Sequence, residues 1–145
     1  MAGRLNVSEA RRDFSALVER AGRGDWQVIG RRGQAEVVLA DGRELDELLS
    51  RCYPFAPEVS FEHENVGIYL LELAVHGVGT SLPQAQADLM DAATAYVAEW
   101  VEWLHAAPDH RDRAGWVRRV QLAADDPAAL GRTLFGDAYQ PLATQ

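Results

Sequence analysis

Lysine is absent from this chain, cysteine occurs once, and no apolar run approaches the length of a membrane span. A single cysteine, Cys52, cannot close an internal disulfide or supply a thiolate zinc site, so neither staple is available to a small fold. The longest apolar stretch, "IYLLELAV" before His76, falls far short of the roughly 20 residues that cross a bilayer. The N-terminus also lacks the apolar core of a secretory signal, so a cytoplasmic protein with no membrane partner is expected. A composition of 48% hydrophobic and 25% charged residues over 145 positions is that of a soluble globular protein with one domain or two small ones.

All 14 basic residues are arginine and the net charge is -8, unevenly spread. Residues 1–32 hold seven arginines against four acids, a net of +3, which leaves -11 for the remainder. Such asymmetry points to a nucleic-acid-facing end joined to a part with another task.

From Ser8 onward Ala10, Phe14, Leu17, Val18 and Ala21 follow the spacing of one helical face. Ser8 is the expected N-cap, and Gly22 with Gly24 stops the helix. At about 100° per residue, Ser8, Arg11, Arg12 and Ser15 share an outward sector. "DWQVIG" and "AEVVLA" then read as a β-hairpin with Arg31 and Arg32 at its tip. "DGRELDELLSR" reads as a second helix capped by Asp41, with Leu45, Leu48 and Leu49 on one face. This helix, hairpin, helix module offers few large apolar residues, so a thin core and a homodimer are expected.

"YPFAPE", with two prolines, reads as a linker at 52–58 between a first domain at 1–51 and a second at 59–145. "VSFEHENVGIYLLEL" reads as strand, turn at Asn65–Gly67, strand, followed by a glycine-rich connection in "HGVGTS". Ser81 and Gln84 have capping-box spacing and open a long helix to about His105, with Ala85, Leu89, Ala93, Tyr96, Val97, Trp100, Trp103 and Leu104 on its apolar face. "WVRRVQLAADDPAALGRTLFG" suggests two short helices broken at Pro127. The expected fold class is therefore α+β: a small helix, hairpin, helix domain, then a second α+β domain of antiparallel strands, a long helix and short C-terminal helices.

The ordered set "NVSEARRDFSALVERAGRGDWQVIGRRGQAEVVLADGRELDELL" resembles the N-terminal domain of the Phd/YefM antitoxins. That resemblance implies a symmetric dimer whose first helix and basic loops contact operator DNA, followed by a part that neutralises a toxin. The arginine of the family's S-E-A-R motif falls on Arg11, its serine on Ser8, and the basic position of its hairpin turn on Arg31. Arg4, Arg12 and Arg32 join them as DNA-binding candidates from charge and position. Gly30 departs from the threonine common before that turn, which removes a hydroxyl that could bond phosphate. Arginine suits the task because it forks onto phosphate oxygens or the O6/N7 edge of guanine. A local basic patch suffices in an acidic protein, since counterion release depends on the phosphates actually neutralised. "VGTSLPQAQADLMDAATAYV" is similar to the strand-to-helix passage of HicB-type antitoxins, with "LAVHGVG" in place of their usual turn.

No catalytic site is expected. His105, Asp109 and His110 match no metal-ligand spacing, His63 and His76 stand alone, Ser81 is explained as a cap, and no phosphate loop or other cofactor motif is present. The reading is an antitoxin that represses its own operon as a dimer and blocks a cognate toxin, an RNA-cleaving one suiting the acidic remainder by charge. Trp116 is the candidate toxin anchor. The alternative is a stand-alone transcriptional regulator with a ligand-sensing or oligomerising C-terminal domain.

Overall fold

The computed structural model describes residues 4–30, 33 and 36–143. It forms two compact units, Met1–Leu48 and Leu49–Gln145, each mixed in secondary structure, so the fold is α+β.

The first unit begins with two short helices, α1 (Val7–Arg12) and α2 (Phe14–Gly22). The N-cap of α1 is Asn6 and not Ser8. Asn6 accepts from the Glu9 amide at 2.9 Å, while the Glu9 carboxylate accepts from the Asn6 amide at 3.0 Å, a reciprocal capping box that satisfies two otherwise orphaned donors. The expected single helix is interrupted at Asp13, whose backbone leaves the helical region. The ladder carries on around the break, because the Asp13 amide still donates to Glu9 and its carbonyl accepts from Leu17.

Two strands, β1 (Gln27–Ile29) and β2 (Val37–Leu39), pair antiparallel with Val28 opposite Val38. Leu5 adds a parallel bridge to Ile29, tying the chain's start to β1. Asp41 caps α3 (Gly42–Cys52), accepting from the amides of Arg43 and Glu44. The boundary between the units falls within this helix. The interior of the first unit is thin: Ala10, Leu17, Ala21 and Gln27 are buried, and Gln27 satisfies its polar atoms with Arg20 and the Asp25 carbonyl. Phe14 and Val18, expected on the buried face, are about half exposed in the single chain.

The second unit holds a three-stranded antiparallel sheet in the order β3 (Glu58–Glu62), β4 (Asn65–Leu70), β5 (Val75–Gly79). The β3–β4 turn lies at His63–Glu64 and not at Asn65–Gly67. His63 takes the left-handed conformation that a two-residue turn of this kind demands, and Asn65 and Gly67 lie in β4. "HGVGTS" is likewise not a connection, since its first four residues complete β5.

Helix α4 (Leu82–Glu102) lies over β5 and the adjoining side of β4. Ser81 caps it as expected, accepting from the Gln84 amide. The Gln84 side chain reaches back one residue further, to the amide and hydroxyl of Thr80. The helix ends at Glu102, and a single 3₁₀ turn follows over Leu104–Ala106. Ala85, Leu89, Ala93, Val97, Trp100 and Leu104 are buried as the spacing predicts, Tyr96 is half-buried, and Trp103 is 59% exposed. The shorter helices α5 (Ala114–Ala123) and α6 (Pro127–Phe135) complete the core with Val117, Val120, Leu130, Leu134 and Phe135. Pro127 opens α6 behind the cap Asp126, where its missing amide costs nothing.

The proline-bearing segment after α3 is clamped onto the second unit. Arg119 donates to the Tyr53 carbonyl and lies over the Phe55 ring, Trp116 donates to the Pro54 carbonyl, and the Ala56 amide donates to Glu72. The Tyr53 ring passes so close to Gly115 that any side chain there would collide with it. Buried Gln86 pins the C-terminal segment, bonding the Ala138 carbonyl and the Gln140 amide. No helix among the described residues is long and apolar enough to cross a membrane.

Candidate nucleic-acid interface

Four of the six arginine and serine candidates lie within the described residues, and all four are exposed in the first unit. Arg31 and Arg32 lie outside the described residues. Ser8, Arg11 and Arg12 sit on α1 at i, i+3 and i+4, and are therefore neighbours on one helix surface. Buried Ala10 anchors the helix from another side. Arg11 has no ion-pair or hydrogen-bond partner among the described residues. The Arg12 guanidinium stands 3.9 Å from Asp13, a contact too long and too exposed to hold it. Both arginines fall in the last turn of α1, where the helix dipole favours positive charge.

Arg4 is placed by the Leu5 bridge. The Leu5 amide donates to Val28 and the Gly30 amide donates to Leu5, so residue 4 is carried beside the end of β1. Its side chain packs over Gly30 and pairs with Glu36. A threonine at position 30 would bring its Cβ to 3.5–3.6 Å from Glu36 and Arg4, an ordinary contact distance. The glycine here is thus compatible with the ion pair but not demanded by it. Arg4 differs from Arg11 in already having a carboxylate partner, which an incoming phosphate would have to displace.

Sequence reasoning missed Asn6 as the residue that fixes α1, although the N-x-x-E spacing of Asn6 and Glu9 was a usable signal. Asn6→Ala is expected to remove about 1 kcal/mol from the first unit by breaking both arms of the capping box. Thermal unfolding of the purified chain checks this loss, and an unchanged melting profile would mean that α1 is held without its cap.

In the second unit Trp116 is half-buried, with its indole N–H 3.0 Å from the Pro54 carbonyl and its ring edge-on to Tyr53. Two of the histidines, His105 and His110, make contacts within the second unit. His110 bonds the Tyr96 hydroxyl, which also accepts from Arg113, and Arg113 reaches the Leu73 carbonyl. The His105 ring contacts the Trp100 carbonyl. Among the described residues no three His, Cys, Asp or Glu side chains converge where a metal could bind. Cys52 is exposed.

A crystal structure of the antitoxin part of a proposed toxin–antitoxin system from Syntrophomonas wolfei subsp. wolfei superposes with a TM-score of 0.67, covering 89% of this chain and 94% of that one. At 16% identity the likeness is one of fold. A PHD-like family model, described as antitoxin of toxin–antitoxin, RelE/RelB, TA system, matches residues 1–132, and the chain belongs to that antitoxin family. No curated protein matches the sequence.

Proposed function

We propose that this antitoxin works as a homodimer in the cytoplasm, binds the operator of its own operon through the first unit, and neutralises a cognate, RNA-cleaving toxin through the second. The observation that carries the DNA reading is the exposed surface of Ser8, Arg11 and Arg12 on a helix fixed by a capping box and by buried Ala10. The residues resemble the Phd/YefM pattern at those positions, and Arg4, Arg31 and Arg32 would extend the same basic surface. A dimer would repeat this surface at fixed spacing and so match a palindromic site.

Dimerisation is supported by what the first unit leaves uncovered. Phe14, Val18, Val37 and Val38 are each about half exposed or more, around a core of only a few buried side chains among the described residues. The toxin reading is supported by charge: the second unit holds thirteen acids against six arginines, a net of -7, which favours encounter with a basic protein. On this division of labour the domains are 1–51 and 59–145, with half-buried Trp116 of the second unit as a candidate toxin contact. The proposal includes no catalytic residue, metal or cofactor.

Two measurements test it together. Fluorescence anisotropy should show tight, salt-sensitive binding to DNA from directly upstream of the gene, in competition with random DNA. Co-expression should rescue growth of cells poisoned by the product of the adjoining open reading frame. DNA binding without rescue would point instead to a stand-alone regulator.

A further inference from the structure

Strand β3 is an edge of the second unit's sheet, and all five of its residues are exposed. Among the described residues no strand pairs with its outer side. An edge strand directs alternate N–H and C=O groups outward, where they can template another strand. Natural edges are blunted by shortness, charged side chains, an internal proline, a bulge or a covering element. β3 is short and carries a glutamate at each end, which select against many partners, but it has no internal proline or bulge and pairs one-to-one with β4 from Glu58 opposite Tyr69 to Glu62 opposite Asn65.

The two faces of β3 differ in chemistry. Glu58, Ser60 and Glu62 share the face of Tyr69, Gly67 and Asn65. Val59 and Phe61 share the face of Ile68 and Val66, whose side chains are buried in the core. Helix α4 covers β5 and part of β4, and this apolar side of β3 stays open: Phe61 is 74% exposed. Residues 52–110, which include the whole sheet and α4, hold nine acids and neither arginine nor lysine.

We propose that the free edge of β3 is the toxin's docking strand site, extended by a segment of the toxin that carries arginine or lysine opposite Glu58 and Glu62 and apolar residues beside Val59 and Phe61. This rests on the antitoxin reading above and names the surface through which it acts. Backbone pairing supplies attachment, while alternate side chains supply selection. A second copy of this chain is a poor occupant. Antiparallel pairing centred on Ser60 would set Glu58 of each copy against Glu62 of the other, in a region already rich in acids, and like charges directly opposite are destabilising. DNA is disfavoured by the same carboxylates.

The test uses the full chain and, as probe, the purified product of the adjoining open reading frame. Glu58→Lys/Glu62→Lys is expected to weaken binding about 30-fold. The same charge change on the exposed part of α4, Asp91→Lys/Glu99→Lys, should stay within about threefold. Circular dichroism confirms that both variants are folded. In hydrogen exchange, the outward-facing amides within Val59–Glu62, those not already bonded to β4, should become protected in the complex. Equal weakening by both double variants, or unchanged exchange along β3 in a stable complex, overturns the proposal and leaves the toxin reading standing. Protection of β3 in the chain alone as its concentration rises would assign the edge to a second copy, and also overturns it. A product that neither poisons cells nor binds the wild-type chain removes the toxin reading and this site together.

Discussion

Gly77→Val is expected to destabilise the second unit by about 3 kcal/mol or more, a large share of the roughly 5–15 kcal/mol that holds a domain folded. Gly77 is buried in the middle of β5 with its absent side chain directed at α4. A Cβ built there would collide with the Ala85 carbonyl and the Leu89 amide, which are helix backbone and cannot swing aside. Gly79, one step along the same face, meets the start of the helix at 2.6 Å from the Ala85 amide. Helix and strand therefore touch backbone to backbone, and a valine must push α4 off the sheet together with Leu89, Ala93 and the core behind them. For a unit of this size the loss corresponds to a drop in Tm of more than about 10 °C. Gly22→Ala is the contrast, since its Cβ would meet nothing within 4 Å at the end of α2 and should leave Tm unchanged or slightly raised. A Gly77→Val protein that melts with the wild type would show that α4 does not rest on β5.

The second large effect concerns DNA. Arg11→Ala/Arg12→Ala should weaken operator binding about 100-fold or more, because the proposed dimer would lose four guanidinium groups at once. Neither side chain is buried or firmly paired, so the variant should remain folded. The slope of log affinity against log salt should become shallower by about 0.9 for each phosphate that is no longer neutralised. If operator and random DNA weaken alike, the arginines hold phosphate; if the preference for operator collapses, they read bases. Unchanged affinity in a folded variant would return both residues to an ordinary solvated helix surface. Asn6→Ala should fall between, since it loosens α1 and leaves both charges in place.

What could be read from the sequence depended on how local each signal was. The helix α4 was legible because its cap, length and apolar spacing all lie within one segment, and the predicted face is buried except at Trp103 and half-buried Tyr96, while Gln86 and Met90 are buried in addition to it. The helices at Ala114–Ala123 and Pro127–Phe135 were legible through Pro127, which can start a helix but not continue one. β5 was not, because Gly77 and Gly79 lower strand propensity and imitate a loop. Their reason for being glycine lies across the sheet in α4. The β3–β4 turn was misplaced because Asn and Gly favour turns, whereas the register closes on His63–Glu64.

In the candidate site, the outward grouping of Ser8, Arg11 and Arg12 followed from helical geometry, since side chains three and four apart share a surface whatever surrounds them. The partners of those residues did not follow. The pairing of Arg4 with Glu36 and the exposure of Phe14 and Val18 depend on chain that returns from elsewhere or fails to, whereas the capping of α1 by Asn6 is local and was overlooked beside Ser8. Trp116 has the residue type of an anchor, and only the structure shows that its indole N–H also donates to the Pro54 carbonyl, 62 positions away in sequence.

The sequence by itself determined the α+β class, the main helices, the charge division and the placement of arginines on α1, because composition and short-range periodicity suffice for these. Only the tertiary structure decided that Gly77 and Gly79 belong to a strand, that the proline-bearing segment is packed onto the second unit, and that β3 ends the sheet with an open edge. Each of those depends on which distant segments meet, and the meeting of distant segments is fixed by packing of the whole chain.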